Sequence, residues 1–172
     1  MAAVLEIHLT GGAVNSDYNL SLGGLYSSQT MASAAMNNLF DNVSPTEATA
    51  GDAEWRVIDI YNSGDASAVD VDIYWSAATA SPKTEVYLGV SSSAVASDGN
   101  PHVTAWAGQT LATETNSPTS PTITVGSYYT GAPLRLRDIP QGYASRVYIK
   151  RVVDAGAGNL SNDLCTLTVQ YA

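Results

Sequence analysis

Cys165, His8 and His102 are the only cysteine and histidines in this 172-residue chain, and so its whole stock for a thiol–imidazole pair or a nitrogen–sulfur metal site. A nucleophilic thiol needs a base beside it, and a closed zinc site needs four such ligands. Cys165 shares strand parity with Leu167, Val169 and Tyr171, so it reads as a small apolar core group. Carboxylates are more numerous: Asp52 with Glu54, Asp70 with Asp72, and Asp65 in a glycine-containing turn. Asp70 and Asp72 stand about 7 Å apart on one strand face, a span that two ligands of a cation could take. Calcium needs more oxygens than these, and the EF-hand loop pattern is absent, so solvation of an outer face is the simpler role. No carboxylate spacing is distinctive of glycoside hydrolysis. Gly11-Gly12 and Gly23-Gly24 lack the following Gly-Lys-Ser/Thr of a phosphate loop. Trp75 continues the face of Val69, Val71 and Ile73 and reads as core. Trp106, in a polar stretch, is the tryptophan most suited to an exposed platform. The chain is expected to be no enzyme, with no cofactor and no metal.

The elements that would position these groups are almost all strands. Segments 4–9, 54–61, 69–75, 84–90, 122–125, 132–137, 144–153 and 163–171 alternate apolar with polar or carry β-branched runs, and 103–106 suits a further short strand. Asn62-Ser63-Gly64-Asp65 and Asp98-Gly99-Asn100-Pro101 are turns, and the glycine-bearing loop 154–162 predicts a hairpin of the last two strands. One helical turn is predicted near 45–50. Ser44-Pro45-Thr46-Glu47 is a capping box with proline at the first helical position, and Gly51 ends it. The stretch 10–38 is rich in Gly, Ser, Asn and Ala with scattered apolar residues, and reads as an extended arm that packs on the domain or on a neighbour. The pattern predicts a single all-β domain over 1–172, an antiparallel β-sandwich with that N-terminal arm.

Composition narrows the partners. Charged residues are only 13% of the chain, and ten tyrosines face one phenylalanine. Tyrosine suits places where one end of the ring is dry and the other wet, and low charge suits a surface packed against something. The formal charge is −9, yet five of seven basic residues, Arg135, Arg137, Arg146, Lys150 and Arg151, fall within 17 positions. They predict a basic face docking on an acidic neighbour, whereas the acidic remainder argues against nucleic acid. A lone cysteine excludes an internal disulfide. The absence of a secretory pattern or a long apolar run predicts a soluble product of a reducing cytoplasm, with no membrane partner.

Leu39-Phe40-Asp41, Val43, Ala50-Gly51-Asp52, Glu54, Trp55-Arg56 and Tyr61-Asn62 together resemble a family of tailed-bacteriophage virion proteins. Leu9-Thr10-Gly11-Gly12-Ala13 with Asn15, Leu22-Gly23-Gly24, Ser27-Ser28, Ile139-Pro140, Gly142-Tyr143, Arg151 and Ala155-Gly156-Ala157 extend the likeness. The resemblance implies a capsid decoration, or cement, protein with a jelly-roll-like sandwich. Such a protein would be made in the host cytoplasm and sit on the outer capsid surface. Its implied partners are the major capsid protein and further copies of itself, a homodimer in preference to a trimer. It would clamp adjacent capsid subunits against the pressure of packaged DNA. The contact residues expected on this reading are Tyr18, Leu20, Leu22, Leu25 and Tyr26 in the arm, with Arg135, Arg137, Arg146, Lys150 and Arg151 as the docking face. A tail, baseplate or fibre component shares these traits. A carbohydrate-binding sandwich using Trp106 and Tyr128-Tyr129 is the alternative from another class.

Overall fold

The computed structural model describes residues 2–31, 33, 38–91, 100–101, 111, 113–118, 123–158 and 163–172. The strands are β1 (Leu5–Thr10), β2 (Tyr26–Thr30), β3 (Asp52–Asn62), β4 (Asp72–Ala77), β5 (Thr84–Ser91), β6 (Asn100–Pro101), β7 (Ile123–Gly126), β8 (Leu134–Arg135), β9 (Tyr143–Val153) and β10 (Thr166–Gln170). A seven-stranded sheet runs β2-β1-β3-β9-β5-β7, with β6 beside one end of β9, and a three-stranded sheet runs β10-β4-β8. Every pair of these strands is antiparallel, so the chain is the predicted all-β sandwich.

The frame is the β3–β9 pair, in register from Asp52↔Val153 to Tyr61↔Ala144. Period two sends Ile58, Ile60, Val147 and Ile149 to the inner face, where they meet Val71, just before β4, Ile73 and Trp75 of the small sheet and Val86 and Leu88 of β5. Each such aliphatic side chain, removed from water, stabilises the fold by about 1.5–3 kcal/mol. Trp55, Val57 and Tyr148 take the opposite face and form a second cluster with Leu111, against which Leu22 packs. A slip of one residue would exchange these two sets, so burial of both faces fixes the register.

The helical turn forms as predicted, as α1 (Pro45–Ala50). Ser44 Oγ accepts from the Glu47 N–H at 3.2 Å, and Glu47 Oε2 accepts from the Ser44 N–H at 2.7 Å. Gly51 follows at φ 81°, which glycine adopts without strain.

The sequence and the structure differ in several places, each with a physical cause. The stretch 11–31 packs on the domain, one of the two courses expected for it, but not as a plain extended arm. It makes a 3₁₀ turn at Tyr18–Leu20 and returns as β2 on the edge of β1. Its small polar side chains bind backbone: Ser21 Oγ donates to Val57 O at 2.6 Å, and Asn15 Nδ2 to Thr10 O at 2.6 Å. Residues 32 and 34–37 of the predicted arm lie outside the described residues. The last two strands are not a hairpin. β9 already has β3 on one edge and β5 on the other, so β10 pairs with β4 in the other sheet. β4 begins at Asp72 instead of residue 69 because Asp70 adopts φ 52°, the one positive φ of a non-glycine among the described residues. Val69 is therefore exposed rather than in the core face. The segment predicted over 132–137 shortens to Leu134–Arg135, next to Pro133. The predicted strand at 103–106 and most of the 98–101 turn lie outside the described residues.

Candidate functional site

Charge has gone inside this protein. Asp59 of β3 lies directly across from Arg146 of β9, and both are buried. Arg146 Nε donates to Asp59 Oδ1 and Nη2 to Oδ2, both at 2.8 Å, while Nη2 also reaches the Gly24 carbonyl at 2.9 Å. Burial pushes the Asp59 carboxyl up, against the opposite pull of Arg146. His8 of β1 sits opposite Asp59 on its other side. Its Nδ1 is 2.9 Å from Ser27 O, and its Nε2 is 3.1 Å from Glu6 Oε2 and 3.3 Å from the Tyr26 hydroxyl. Tyr26 stacks on the imidazole with ring centres 4.7 Å apart, and Tyr61 meets it edge-on at 5.5 Å. Burial, then the neighbouring Tyr61, Glu6 and Asp59, hold the Tyr26 phenol well above its ordinary range. This constellation ties β2 and the 11–25 segment to β1 and β3.

A second charged cluster occupies the inner face. Arg56 is fully buried. It donates from Nε to Leu39 O at 3.1 Å, from Nη1 to Trp55 O at 2.9 Å and from Nη2 to Asn19 Oδ1 at 3.0 Å, with Glu114 Oε2 2.7 Å away. Arg151 pairs with Glu54, directly opposite it in the ladder, and donates to Asp41 O at 2.7 Å. The guanidinium carbons of Arg56 and Arg151 lie 5.2 and 4.8 Å from the centre of the Phe40 ring. The Leu39-Phe40-Asp41 and Glu54-Trp55-Arg56 motifs thus meet each other, as a clasp that fastens the 38–51 crossover onto β3 and β9. Glu47, Asp52 and Glu54 bring carboxylate oxygens within 4.8 Å of one another. Glu47 is committed to the Ser44 cap and Glu54 to Arg151, so this acidic group has structural partners.

The predicted basic face does not exist as a surface. Arg146 and Arg151 are buried and point to opposite faces of β9. Lys150 lies half-buried with its ammonium 5.6 Å from the Trp55 ring centre. Arg135 belongs to the small sheet, where it pairs with Asp70 and Asp72, and Arg137 is exposed nearby. Asp72 is buried beneath Arg135, contrary to the solvated role predicted for it; Asp70 stays exposed.

The predicted arm contacts divide in two. Leu22 packs on the Trp55 cluster, Tyr26 on His8, and Tyr18 is half-buried. Leu20 and Leu25 are 58% and 44% exposed, and Val14, which the sequence did not single out, is 79% exposed. Leu25 O accepts from the Gly11 N–H at 2.9 Å, and a side chain at Gly11, which has φ 96°, would meet the Leu20 carbonyl. Gly11 therefore brings the Leu20 and Leu25 backbones close together, and the exposed Val14, Leu20 and Leu25 of this segment, which Ser21, Leu22 and Arg146 tie to the sheet, are termed the knuckle. Nothing in the local sequence distinguishes Leu20 from Leu22; only the fold shows which one is covered.

Trp55 and Trp75 are core, Tyr128 is half-buried and Tyr129 exposed, whereas Trp106 and His102 lie outside the described residues. Comparison of the chain with protein-family models, with curated proteins and with solved structures found no match. Among the described residues no helix is long and apolar enough to cross a membrane.

Cys165 is half-buried against the main core, and burial, with Asp163 adding to it, pushes its thiol up to about 11. Two pH units above its usual range leave roughly 100-fold less thiolate near neutral pH. Alkylation of the folded protein by iodoacetamide should therefore run about 100-fold slower than that of the urea-unfolded chain at pH 8. A folded-state rate equal to the unfolded rate would contradict this placement. Because the folded thiol holds its proton more tightly, its contribution to stability is present at neutral pH. It is lost as pH rises through about 11.

Proposed function

We propose that this protein is a non-enzymatic structural component of a tailed-phage particle, a decoration protein that binds the outer capsid surface and clamps neighbouring shell subunits. The observation that carries the reading is the knuckle of Val14, Leu20 and Leu25: large apolar side chains held exposed on a hydrogen-bonded segment. The buried ionisable groups, meanwhile, are engaged in internal ion pairs and hydrogen bonds. Apolar side chains on a preformed segment dock without the cost of ordering its backbone, which favours tight binding to a complementary groove. A chain with only 13% charged residues, several of them buried, suits contact with protein on several sides. The likeness of the 39–62 motifs to phage virion proteins supplies the partner, the major capsid protein. The docking role moves from the basic residues to the knuckle.

The test is co-sedimentation of the purified protein with capsids that lack it. Leu20→Glu with Leu25→Glu should leave thermal stability nearly unchanged, since both side chains are exposed. Each change should weaken shell binding by roughly 30-fold or more, a loss of about 2 kcal/mol per anchor. Undiminished binding by the folded double variant would remove the knuckle from the contact. A wild-type protein that never sediments with capsids would remove the decoration role.

A further inference from the structure

We infer that β10 is a self-association edge, along which two copies of this chain pair antiparallel about a twofold axis at Thr168. This inference stands independently of the capsid reading.

The other sheet edges are shorter or partly engaged, among the described residues. β8 is two residues long, follows Pro133 and carries Arg135. The Ser28 N–H of β2 is taken by Ala13 O at 3.0 Å. β7 spans four residues and ends in Gly126, where any side chain would press on the Tyr128 ring. β10, Thr-Leu-Thr-Val-Gln, has no charge, proline or glycine, and its pairing with β4 is regular from Leu167 to Gln170. Apart from the register shift between Thr166 and Leu167, it lacks the charges and prolines that usually block strand addition.

Hydrogen-bond parity shows what this edge offers. On β4, the Trp75 N–H bonds Tyr128 O at 2.9 Å and Val71 O accepts from the Leu136 N–H at 2.8 Å, both away from β10. Antiparallel strands alternate the side to which their polar groups point, so Tyr74 and Asp72 face β10, opposite Thr168 and Gln170. Leu167 and Val169 consequently direct their N–H and C=O groups outward. A twofold axis at Thr168 sets Leu167 of one copy opposite Val169 of the other. They then exchange both backbone bonds, and the small sheets join into one.

The flanks fit a second copy better than a charged or polar strand. Leu164 and Tyr171 are 43% and 42% exposed at the two ends of β10, and Val4 and Val69, in the segments that bond Tyr171 and Ala172, are exposed as well. The Tyr171 hydroxyl donates to Ala3 O at 2.7 Å, and the Ala172 N–H to Val69 O at 3.0 Å, which holds that end in place. Under the twofold axis Tyr171 falls opposite Cys165 and Leu164 opposite Ala172, so apolar meets apolar. Asp163 lies beyond the paired stretch. Thr168 meets Thr168 on the solvent face, a pair that favours strand association.

Light scattering should give the wild-type protein twice the 17.9 kDa mass of one chain. Thr168→Lys and Thr168→Glu each place like charges face to face on the axis and should each give the single-chain mass with an unchanged circular dichroism spectrum. Mixed in equal amounts, the two variants should regain the doubled mass. Three results would overturn the inference: a wild-type protein of single-chain mass, a Thr168→Lys variant that keeps the doubled mass, or folded variants whose mixture stays single.

Discussion

Arg146→Ala should lower stability by about 3–5 kcal/mol, a large part of the total for a domain of this size. The substitution leaves the Asp59 carboxylate buried without its bidentate partner and the Gly24 carbonyl without a donor. Urea unfolding followed by tryptophan fluorescence measures it, with a fall in midpoint at unchanged slope. The loss should depend on pH with a definite sign. Burial alone already pushes the Asp59 carboxyl up, and without Arg146 nothing of that strength opposes it. The folded variant then binds the Asp59 proton more tightly than its unfolded chain. Its deficit should therefore be smallest at acid pH, below the ordinary carboxylate range, and should grow as pH rises through the raised folded value. Replacing both partners, as Arg146→Met with Asp59→Leu, should recover most of the loss, because two apolar groups need no compensation. A single Arg146→Ala variant as stable as wild type at neutral pH would show that the pair contributes nothing.

Arg56→Ala should cost a similar amount, about 3–5 kcal/mol, for a different reason. Here one guanidinium fork serves four acceptors contributed by Asn19, Leu39, Trp55 and Glu114, and also lies over Phe40. Three chain segments distant in sequence converge on that fork, so its loss loosens all of them together. Differential scanning calorimetry should show a melting temperature about 10 °C lower. Hydrogen exchange should quicken first at the Val57 and Trp55 amides, whose acceptors are Ser21 O and Glu114 O on those segments. Arg56→Lys should recover less than half of the loss, since one ammonium cannot occupy four directions from a fixed plane. Full recovery by lysine would mean that charge alone matters at this position.

Arg146 and Arg151 show where the sequence stopped being readable. Period two identified β3 and β9, and the capping box the turn at 45–50, because local propensity and burial agree there. It gave Arg146 and Arg151 to the surface, since a polar residue in an alternating strand normally faces water. Both faces of β9 are covered in this fold, one by the small sheet and the other by the 11–25 segment, and that covering is a long-range property. The Gly, Ser and Asn content of 10–38 likewise suggested an arm. Those side chains instead hydrogen-bond backbone, Thr10 Oγ1 and Ser21 Oγ both donating to Val57 O. Pairing of β10 with β4 depended on which edges remained open, which no local pattern encodes. The spacing of Leu39-Phe40-Asp41 and Glu54-Trp55-Arg56 was visible from the start, but its meaning as an internal clasp appeared only when Phe40 was seen beneath two guanidinium groups.

Cryo-electron microscopy of phage particles carrying the protein tests its proposed place most directly. The sandwich should appear on the outer capsid surface, with Val14, Leu20 and Leu25 buried against the junction of neighbouring shell subunits. Particles whose shells carry no copy, or copies that turn this knuckle to solvent, would contradict the proposal.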